Sequence, residues 1–402
     1  MTDPSEMPFV GLAPFLRVSI AGGDLRELAQ ALLAKTDEEP DNANLWMNLA
    51  TAFFSIGERE LGLSMQAQAL QIQRSYRLPA ARQPARFRLL MLMAAGDLAE
   101  NTPLDCLLED SDVELLLYYA TVDAPLPPSL PEHDAVLVAI SETRDSRPIL
   151  EALVPLLSHW EKPVINAPQY IPNIERRTAS ALLDRIPGLL IPPTVPLSRG
   201  ALEAIADGTA TLADSFDGGC FPIILRPVGS HAGRDLAKID DAAGIAAYLA
   251  TVADSDFYLA PFIDYRGPDG LFRKYRVALI AGRPFACHMA ISSHWMIHYV
   301  NAGMYEDAAK RAEERAFMEH FDGFAGRHAA ALEAIYRRSG LDYVCVDCAE
   351  TPSGELLIFE IDHAMVVHAM DTEALFPYKQ VHMLKVKQAF EDFLYSLGAP
   401  SK

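Results

Sequence analysis

Three acidic residues near the C-terminal end of the chain have a spacing that suits a metal ion. Glu360 and Asp362 end the apolar run ELLIFEID, and Asp347 lies in the preceding run LDYVCVDCAE. Both runs are predicted strands, and residues i and i+2 of a strand project from the same face. A turn at 351–354 pairs them as a hairpin, with Asp347 opposite Ile358 and diagonal to Glu360. Converging carboxylates repel one another unless a cation lies between them, and Mg²⁺ is the usual partner of a few carboxylates and substrate phosphates.

The alternative is that these acids are solvated strand residues, as charged side chains usually are. The buried character of the runs before them favours the metal site. Cys345 and Cys348 have a Cys-x-x-Cys spacing, but their side chains point to opposite faces of a strand and no second pair follows. We therefore predict Asp347, Glu360 and Asp362 as magnesium ligands, and no zinc site.

A glycine-containing segment follows another predicted strand. FPIILRPVGSHAGRD covers residues 221–235, and its strand delivers Arg226 just before the loop at 229–233. Glycines let backbone N–H groups approach an anion closely, and small polar residues add donors. The loop lacks the Gly-Lys-Ser/Thr ending of a Walker motif. Taken alone, it fits a glycine-rich hairpin turn as well as a phosphate site.

A third signal is a broken strand followed by a basic one. Pro261 interrupts the run FYLAPFIDY, and Arg273, Lys274 and Arg276 follow it. Because proline has no N–H to donate to a sheet, the strand is expected to end there. Cations gathered near a glycine loop in an acidic protein suggest a seat for phosphate. The alternative is a charged, solvated strand edge.

Composition excludes some classes of partner. The chain has 402 residues and a net charge of −20, a field that repels nucleic acid and anionic membranes. No apolar run approaches the roughly 20 residues that a membrane span needs. The five cysteines do not make a complete disulfide set, and the N-terminus has no basic start before its apolar part. We expect a cytoplasmic protein with neither nucleic-acid nor membrane partners.

Periodicity predicts three regions, at residues 1–84, 85–185 and 186–402. In the second region, predicted helices alternate with continuous apolar runs at 87–94, 113–120, 135–140 and 163–166. This alternation is typical of a small parallel α/β domain. The third region follows a proline-rich linker and mixes strands with helices.

Residues 1–84 are predicted to form helical hairpins. Six residues match positions of a tetratricopeptide repeat, and the pattern resembles one such repeat: Trp46, Leu49, Ala50, Phe53, Gly57 and Ala69. Gly62 and Gln66 stand where that repeat usually has alanine and an aromatic residue. Two interpretations stay open: the hairpins form a groove for a protein or peptide partner, or they cap the next domain.

In this order, the segments resemble an ATP-grasp enzyme, and in particular the ligases similar to glutathione synthetase and the ribosomal-protein glutamate ligase. The shared order is an α/β domain, a strand and glycine loop, a broken strand, a basic strand and an Asp…Glu-x-Asp ending. The resemblance implies an α/β fold class. An α+β ATP-grasp domain at 186–402 would hold ATP between two subdomains, after a small parallel α/β domain at 85–185 and an all-α helical-hairpin region at 1–84.

The resemblance also implies site residues. The three acids match the Mg²⁺ ligands, although the position of Asp362 is more often Asn. Arg226 stands where Lys is commoner, and Lys274 replaces the Asp of the Asp-x-Arg strand that carries Arg276. Either Arg176 or Arg177 matches the first nucleotide-contacting Lys. The predicted nucleotide-binding residues are Arg177, Arg226, Gly229, Ser230, His231, Gly233, Ala260, Phe262, Ile263, Asp264 and Arg276.

The implied function is that of an ATP-dependent carboxylate–amine ligase that uses ATP and Mg²⁺ and forms an amide through an acylphosphate. Small-molecule or peptide carboxylates and amines are the expected substrates, and Arg276, Arg226 and His288 are the predicted catalytic residues. The polar segment at 289–304 is expected to line the substrate pocket. The alternative is a degenerate nucleotide-binding module attached to a helical partner-binding scaffold.

Overall fold

The computed structural model describes residues 7–230 and 233–398. In that part of the chain the helices are α1 (Ala13–Ile20), α2 (Leu25–Thr36), α3 (Ala43–Ser55), α4 (Arg59–Ile72), α5 (Leu104–Leu108), α6 (Arg147–Leu157), α7 (Arg176–Leu182), α8 (Arg199–Ala206), α9 (Ala242–Thr251), α10 (Ala308–Glu319), α11 (Phe321–Arg327), α12 (Ala329–Ser339) and α13 (Lys379–Leu397). None of these described helices is both long and apolar enough to cross a bilayer.

The strands form three sheets within the described residues. They are β1 (Ser75–Leu78), β2 (Phe87–Met93), β3 (Val113–Tyr119), β4 (Ala135–Val138), β5 (Val164–Ile165), β6 (Leu189–Leu190), β7 (Val195–Ser198), β8 (Ile223–Pro227), β9 (Ala237–Ile239), β10 (Asp256–Pro261), β11 (Phe272–Ile280), β12 (Arg283–Ser292), β13 (Tyr343–Glu350) and β14 (Leu356–Asp362).

The N-terminal helices pack against the first sheet. Met47 of α3 and Ala69 of α4 are buried in the same apolar core as β2. Gln66 is buried, and its side-chain amide is satisfied by Gly96. It donates to Gly96 O at 2.9 Å and accepts from Gly96 N at 2.8 Å. The predicted helical region ends earlier than 84, since Ser75–Leu78 is strand β1. These contacts favour the packing-cap interpretation of the helices.

The first sheet has the order β1-β3-β2-β4-β5, in which β1 is antiparallel to β3 and the other pairs are parallel. Three of the predicted apolar runs form the central strands β2, β3 and β4, which are buried almost along their length, and the run at 163–166 forms the short, partly buried edge strand β5. Helix α13 returns to this sheet from the end of the chain. Its Tyr395 contacts Phe87 of β2, with ring centroids 6.4 Å apart, and its Phe390 packs against Tyr343 of β13 at 5.1 Å, so α13 links the first sheet to the last.

Two antiparallel sheets make up the rest of the fold. One has the order β7-β10-β8-β9, and the other has the order β12-β11-β13-β14-β6 with β6 as a parallel edge strand. The helical stretch at 307–338 is divided into α10, α11 and α12, with breaks at His320 and His328. The space between the two sheets is the candidate site.

Candidate active site

A cleft with a volume of about 450 Å³ lies between these two sheets. Strands β8 and β10 line one wall, and β11, β13 and β14 line the other. The lining has two chemically different parts. One part is apolar and lies beside the end of β10, and the other carries charged side chains.

The apolar part is built around the predicted break in the strand at Pro261. Strand β10 ends at Pro261, as predicted, and the next N–H, that of Phe262, donates to Pro222 O at 3.1 Å. The Phe262 ring meets Trp295 edge-on, with centroids 5.8 Å apart. Of the predicted nucleotide-binding residues beside this break, Ala260, Phe262 and Ile263 line the cleft. An apolar slot walled by aromatic rings suits a flat heterocycle such as a nucleotide base.

The charged part of the lining holds six side chains among the described residues, which we call the cleft cluster. It consists of the cations Arg176, Arg226, Lys274 and Arg276 and the acids Asp347 and Glu360.

Asp347 lies at the centre of the cleft cluster and is only 2% exposed. Arg276 is directly opposite it in the β11–β13 register, and its Nε and Nη2 donate to the two carboxylate oxygens at 2.7 and 3.0 Å. Lys274, two residues earlier on the same strand face, places Nζ 2.6 Å from Asp347 Oδ2. Burial raises the pKa of Asp347, but the charges of Arg276 and Lys274 outweigh it and hold this pKa well below its usual value.

The other two acids have different surroundings. Glu360 forms an ion pair with Arg176, and the charges of Arg176 and Arg226 lower its pKa in spite of burial. Asp362 accepts an N–H from Ala364 at 2.9 Å, and burial together with the nearby charge of Glu360 raises its pKa to about 7. Asp362 does not line the cleft.

The predicted register of the hairpin is wrong. Asp347 pairs with Glu360, whereas the sequence interpretation placed it opposite Ile358. Two irregularities cause the difference: five residues (351–355) separate the last paired residues, and a bulge between Asp347 and Cys348 adds an unpaired residue on β14. Asp347 and Glu360 each form ion pairs with cations from other elements. Within residues 7–230 and 233–398, no group of three His, Cys, Asp or Glu side chains is arranged to hold a metal ion.

Arg226 lies at the start of the predicted glycine loop and is tied to it. Its guanidinium donates to Ser230 Oγ at 3.0 Å and to the Ser230 carbonyl. Burial, followed by the charge of Arg176, lowers the pKa of Arg226 to about 10. Ser230 is buried and does not line the cleft, so it holds the cation in place.

The loop glycines have unequal roles. Gly233 lines the cleft, has φ +72°, and approaches His298 so closely that a β-carbon would lie 2.5 Å from His298 Nε2. Only glycine fits this contact. Gly229 also has a positive φ, but open space surrounds it and it does not line the cleft. His231 lies outside the described residues.

Three further predicted residues lie away from the cleft. Arg177 is exposed on α7, and its neighbour Arg176 is the one that lines the cleft. Asp264 is half-exposed and forms an ion pair with Arg266. His288 is opposite Arg276 on the neighbouring strand β12 and does not line the cleft. Burial and the charge of Arg276 lower the pKa of His288 well below its usual value, so it is neutral at pH 7.

Two cations of the cleft, Lys274 and Arg176, are not among the predicted nucleotide-binding residues. Lys274 is separated from Arg276 by one residue on a predicted strand, and that spacing alone places both side chains on one face. Arg176 could be separated from Arg177 only by the phase of helix α7, whose capping residue Glu175 accepts the Arg177 N–H at 3.0 Å. Of the predicted substrate segment, the residues Trp295 to His298 line the cleft.

A second buried ionic cluster lies outside the cleft lining, and we call it the Lys379 cluster. Lys379 Nζ contacts Tyr299 OH at 2.5 Å, Asp371 Oδ2 at 3.0 Å and Glu314 Oε1 at 3.3 Å. Glu314 also accepts the hydroxyl protons of Tyr299 at 2.9 Å and Tyr378 at 2.6 Å. Lys379 is 2% exposed and Glu314 is fully buried.

No family model matches the chain. Similar solved structures include the VanG D-Ala:D-Ser ligase from Enterococcus faecalis, at 14% identity and TM-score 0.46 over 78% of this chain and 99% of that one. They also include a RimK domain protein ATP-grasp from Sphaerobacter thermophilus DSM 20745, at 18% identity and TM-score 0.42 over 77% of this chain and 99% of that one. A third is the ATP-grasp ligase PsnB, at 12% identity and TM-score 0.43 over 76% and 98%. At these values the likeness is weak, and we draw nothing from it about this chain.

Proposed function

We propose that the protein is an ATP-dependent carboxylate–amine ligase that forms an amide bond through an acylphosphate. The observation that carries this proposal is the two-part cleft, in which an apolar slot beside Phe262 adjoins the four cations of the cleft cluster. This combination suits a base at one part and a triphosphate at the other. The sequence resemblance to the ATP-grasp ligases supplies the reaction class.

In the proposed reaction, a carboxylate oxygen attacks the γ-phosphorus and ADP leaves as the bond between the γ-phosphorus and the bridging oxygen breaks. An amine then attacks the acyl carbon, phosphate leaves, and the amine loses a proton. Arg226 and Arg276 are placed to bind phosphoryl oxygens and to stabilise their charge in the transition state.

A three-carboxylate magnesium site does not fit the residues, because both oxygens of Asp347 are bound by Arg276 and Lys274. A two-carboxylate site does fit. Glu360 and Asp362 project from one face of β14, and Mg²⁺ commonly binds one or two carboxylates and completes its shell with phosphate oxygens and water. We therefore assign these two residues as the magnesium ligands. The ion, when bound, neutralises phosphate charge during transfer.

An ADP-release screen tests the proposed reaction. The full chain is incubated with ATP, Mg²⁺ and pairs of amino acids and short peptides, and each hit is identified by mass spectrometry. We expect ADP and phosphate only when both a carboxylate and an amine are present, with an amide as the product. Glu360→Gln should abolish this turnover. Full activity in that variant would refute the assigned site.

A second candidate function is nucleotide binding without ligation. It is favoured by the occupation of Asp347 and Glu360 in ion pairs and by the replacement of the expected Asp by Lys274. This candidate predicts nucleotide binding with no ADP release in any substrate mixture. An amide product excludes it.

A protein or peptide partner of the N-terminal helices stays a prediction. Helices α3 and α4 contribute Met47 and Ala69 to the core shared with β2, so those faces are occupied. The proposed ligase reaction requires only small-molecule or peptide substrates.

A further inference from the structure

The charges that line the cleft are unbalanced. Among the described residues that line it, four are cations and two are acids, which leaves an excess of two positive charges in a chain of net charge −20. Asp362 does not line the cleft, so it does not enter this count. The charged part of the cleft therefore attracts anions before any metal ion binds.

The cations are held in position by groups other than a ligand. Asp347 fixes both Lys274 and Arg276, and Arg276 Nη1 also donates to Val366 O at 3.1 Å. Arg226 is fixed by Ser230. These contacts use only some of the donors, since a guanidinium has five N–H groups and an ammonium has three. Fixed cations with remaining donors are preorganised for an anion with several oxygens, such as a triphosphate.

Resting on the proposed function, we propose that the cleft binds the nucleotide triphosphate without a divalent cation, and that Asp347 positions Lys274 and Arg276 and is not a metal ligand. In this arrangement the metal ion acts in turnover, through Glu360 and Asp362. Free ATP carries about two more negative charges than its magnesium complex, so the excess positive charge of the cleft attracts it more strongly.

The first test compares ATP binding by calorimetry to the full chain in Mg²⁺ and in EDTA. We expect dissociation constants that agree within fivefold. A loss of more than fivefold in EDTA overturns the inference while leaving the proposed function intact. Absence of binding under both conditions overturns the proposed function itself, so the two failures are distinguishable.

The second test separates positioning from metal ligation. Mn²⁺ is titrated into the protein–ATP complex and followed by electron paramagnetic resonance. Glu360→Gln and Asp362→Asn should weaken Mn²⁺ binding at least tenfold, whereas Asp347→Asn should change it less than threefold. A tenfold loss in Asp347→Asn would make Asp347 a ligand and overturn the assignment.

Because Asp347→Asn leaves two cations without their counter-ion and endangers folding, Lys274→Met provides an independent test. It removes one cation and leaves the Arg276–Asp347 pair in place. We expect ATP binding in EDTA to weaken about tenfold, with Mn²⁺ affinity of the ATP complex within threefold of the parent. Unchanged ATP binding in this variant would contradict the role given to the cleft cations.

Discussion

The molecule contains two buried ionic clusters, and their comparison separates a ligand site from a structural one. In the Lys379 cluster, one cation faces two acids, and tyrosine hydroxyls donate to the remaining acid oxygens. In the cleft cluster, four cations face two acids and the group opens into a cleft of about 450 Å³. The first cluster is closed and its partners are protein groups. The second has donors left over, which is the property that a ligand site requires.

The two clusters also differ in what they connect. The Lys379 cluster joins α13 to α10 and to the segments around Tyr299 and Asp371, so it fixes the chain that surrounds the cleft. The Lys379 ammonium also lies 4.0 Å from the centre of the Tyr299 ring, a favourable cation–π contact. The comparison therefore predicts that the Lys379 cluster governs stability and the cleft cluster governs affinity.

The largest expected effect is on stability, from Lys379→Met. This change leaves the carboxylates of Glu314 and Asp371 buried without their cation, which costs about 3–5 kcal/mol of unfolding free energy. Urea denaturation measures the loss. Lys385→Met, at an exposed position on the same helix, is the matched control and should change stability by less than about 0.5 kcal/mol. An equal loss in both variants would show that the helix, and not the buried cluster, is responsible.

The next effect comes from Asp362, the acid without a basic partner in the cleft cluster. A carboxyl whose pKa is raised to about 7 opposes folding once it ionises, so its cost is absent below about pH 4 and complete above pH 7. The gain in unfolding free energy caused by Asp362→Asn should therefore be about 2–4 kcal/mol larger at pH 8 than at pH 4. Denaturation of both proteins at the two pH values measures this. A difference that is independent of pH would contradict it.

Features that depend on local sequence were predictable. The apolar runs of β2, β3 and β14 form strands as their sequences predict, and β10 ends at Pro261, the proline that interrupts its run. Ala260, Phe262 and Ile263, next to that proline, line the cleft, and their contact with a nucleotide stays a prediction. These features follow from the residues themselves, without knowledge of what packs beside them.

Features that depend on pairing were not predictable. One bulge and a five-residue connection place Asp347 opposite Glu360, and neither has a distinctive sequence signal. The contacts of Asp347 with Arg276 and Lys274 join residues more than 70 positions apart. The Lys379 cluster likewise joins Lys379 to Glu314, and charge alone does not mark either residue as buried.

The smallest expected effect is on ATP affinity, and it compares Arg176 of the cleft cluster with its neighbour Arg177. Arg176 lines the cleft and pairs with Glu360, whereas Arg177 is exposed. Arg176→Met removes one of the four cations and should weaken ATP binding roughly tenfold, or about 1.4 kcal/mol. Arg177→Met carries the same change in charge and composition and should leave the affinity within twofold, as isothermal titration would show. Equal losses would mean that ATP responds to the net charge of the protein, because long-range attraction does not distinguish neighbouring residues. A loss confined to Arg176→Met would mean that ATP affinity depends on where the cation lies in the cleft.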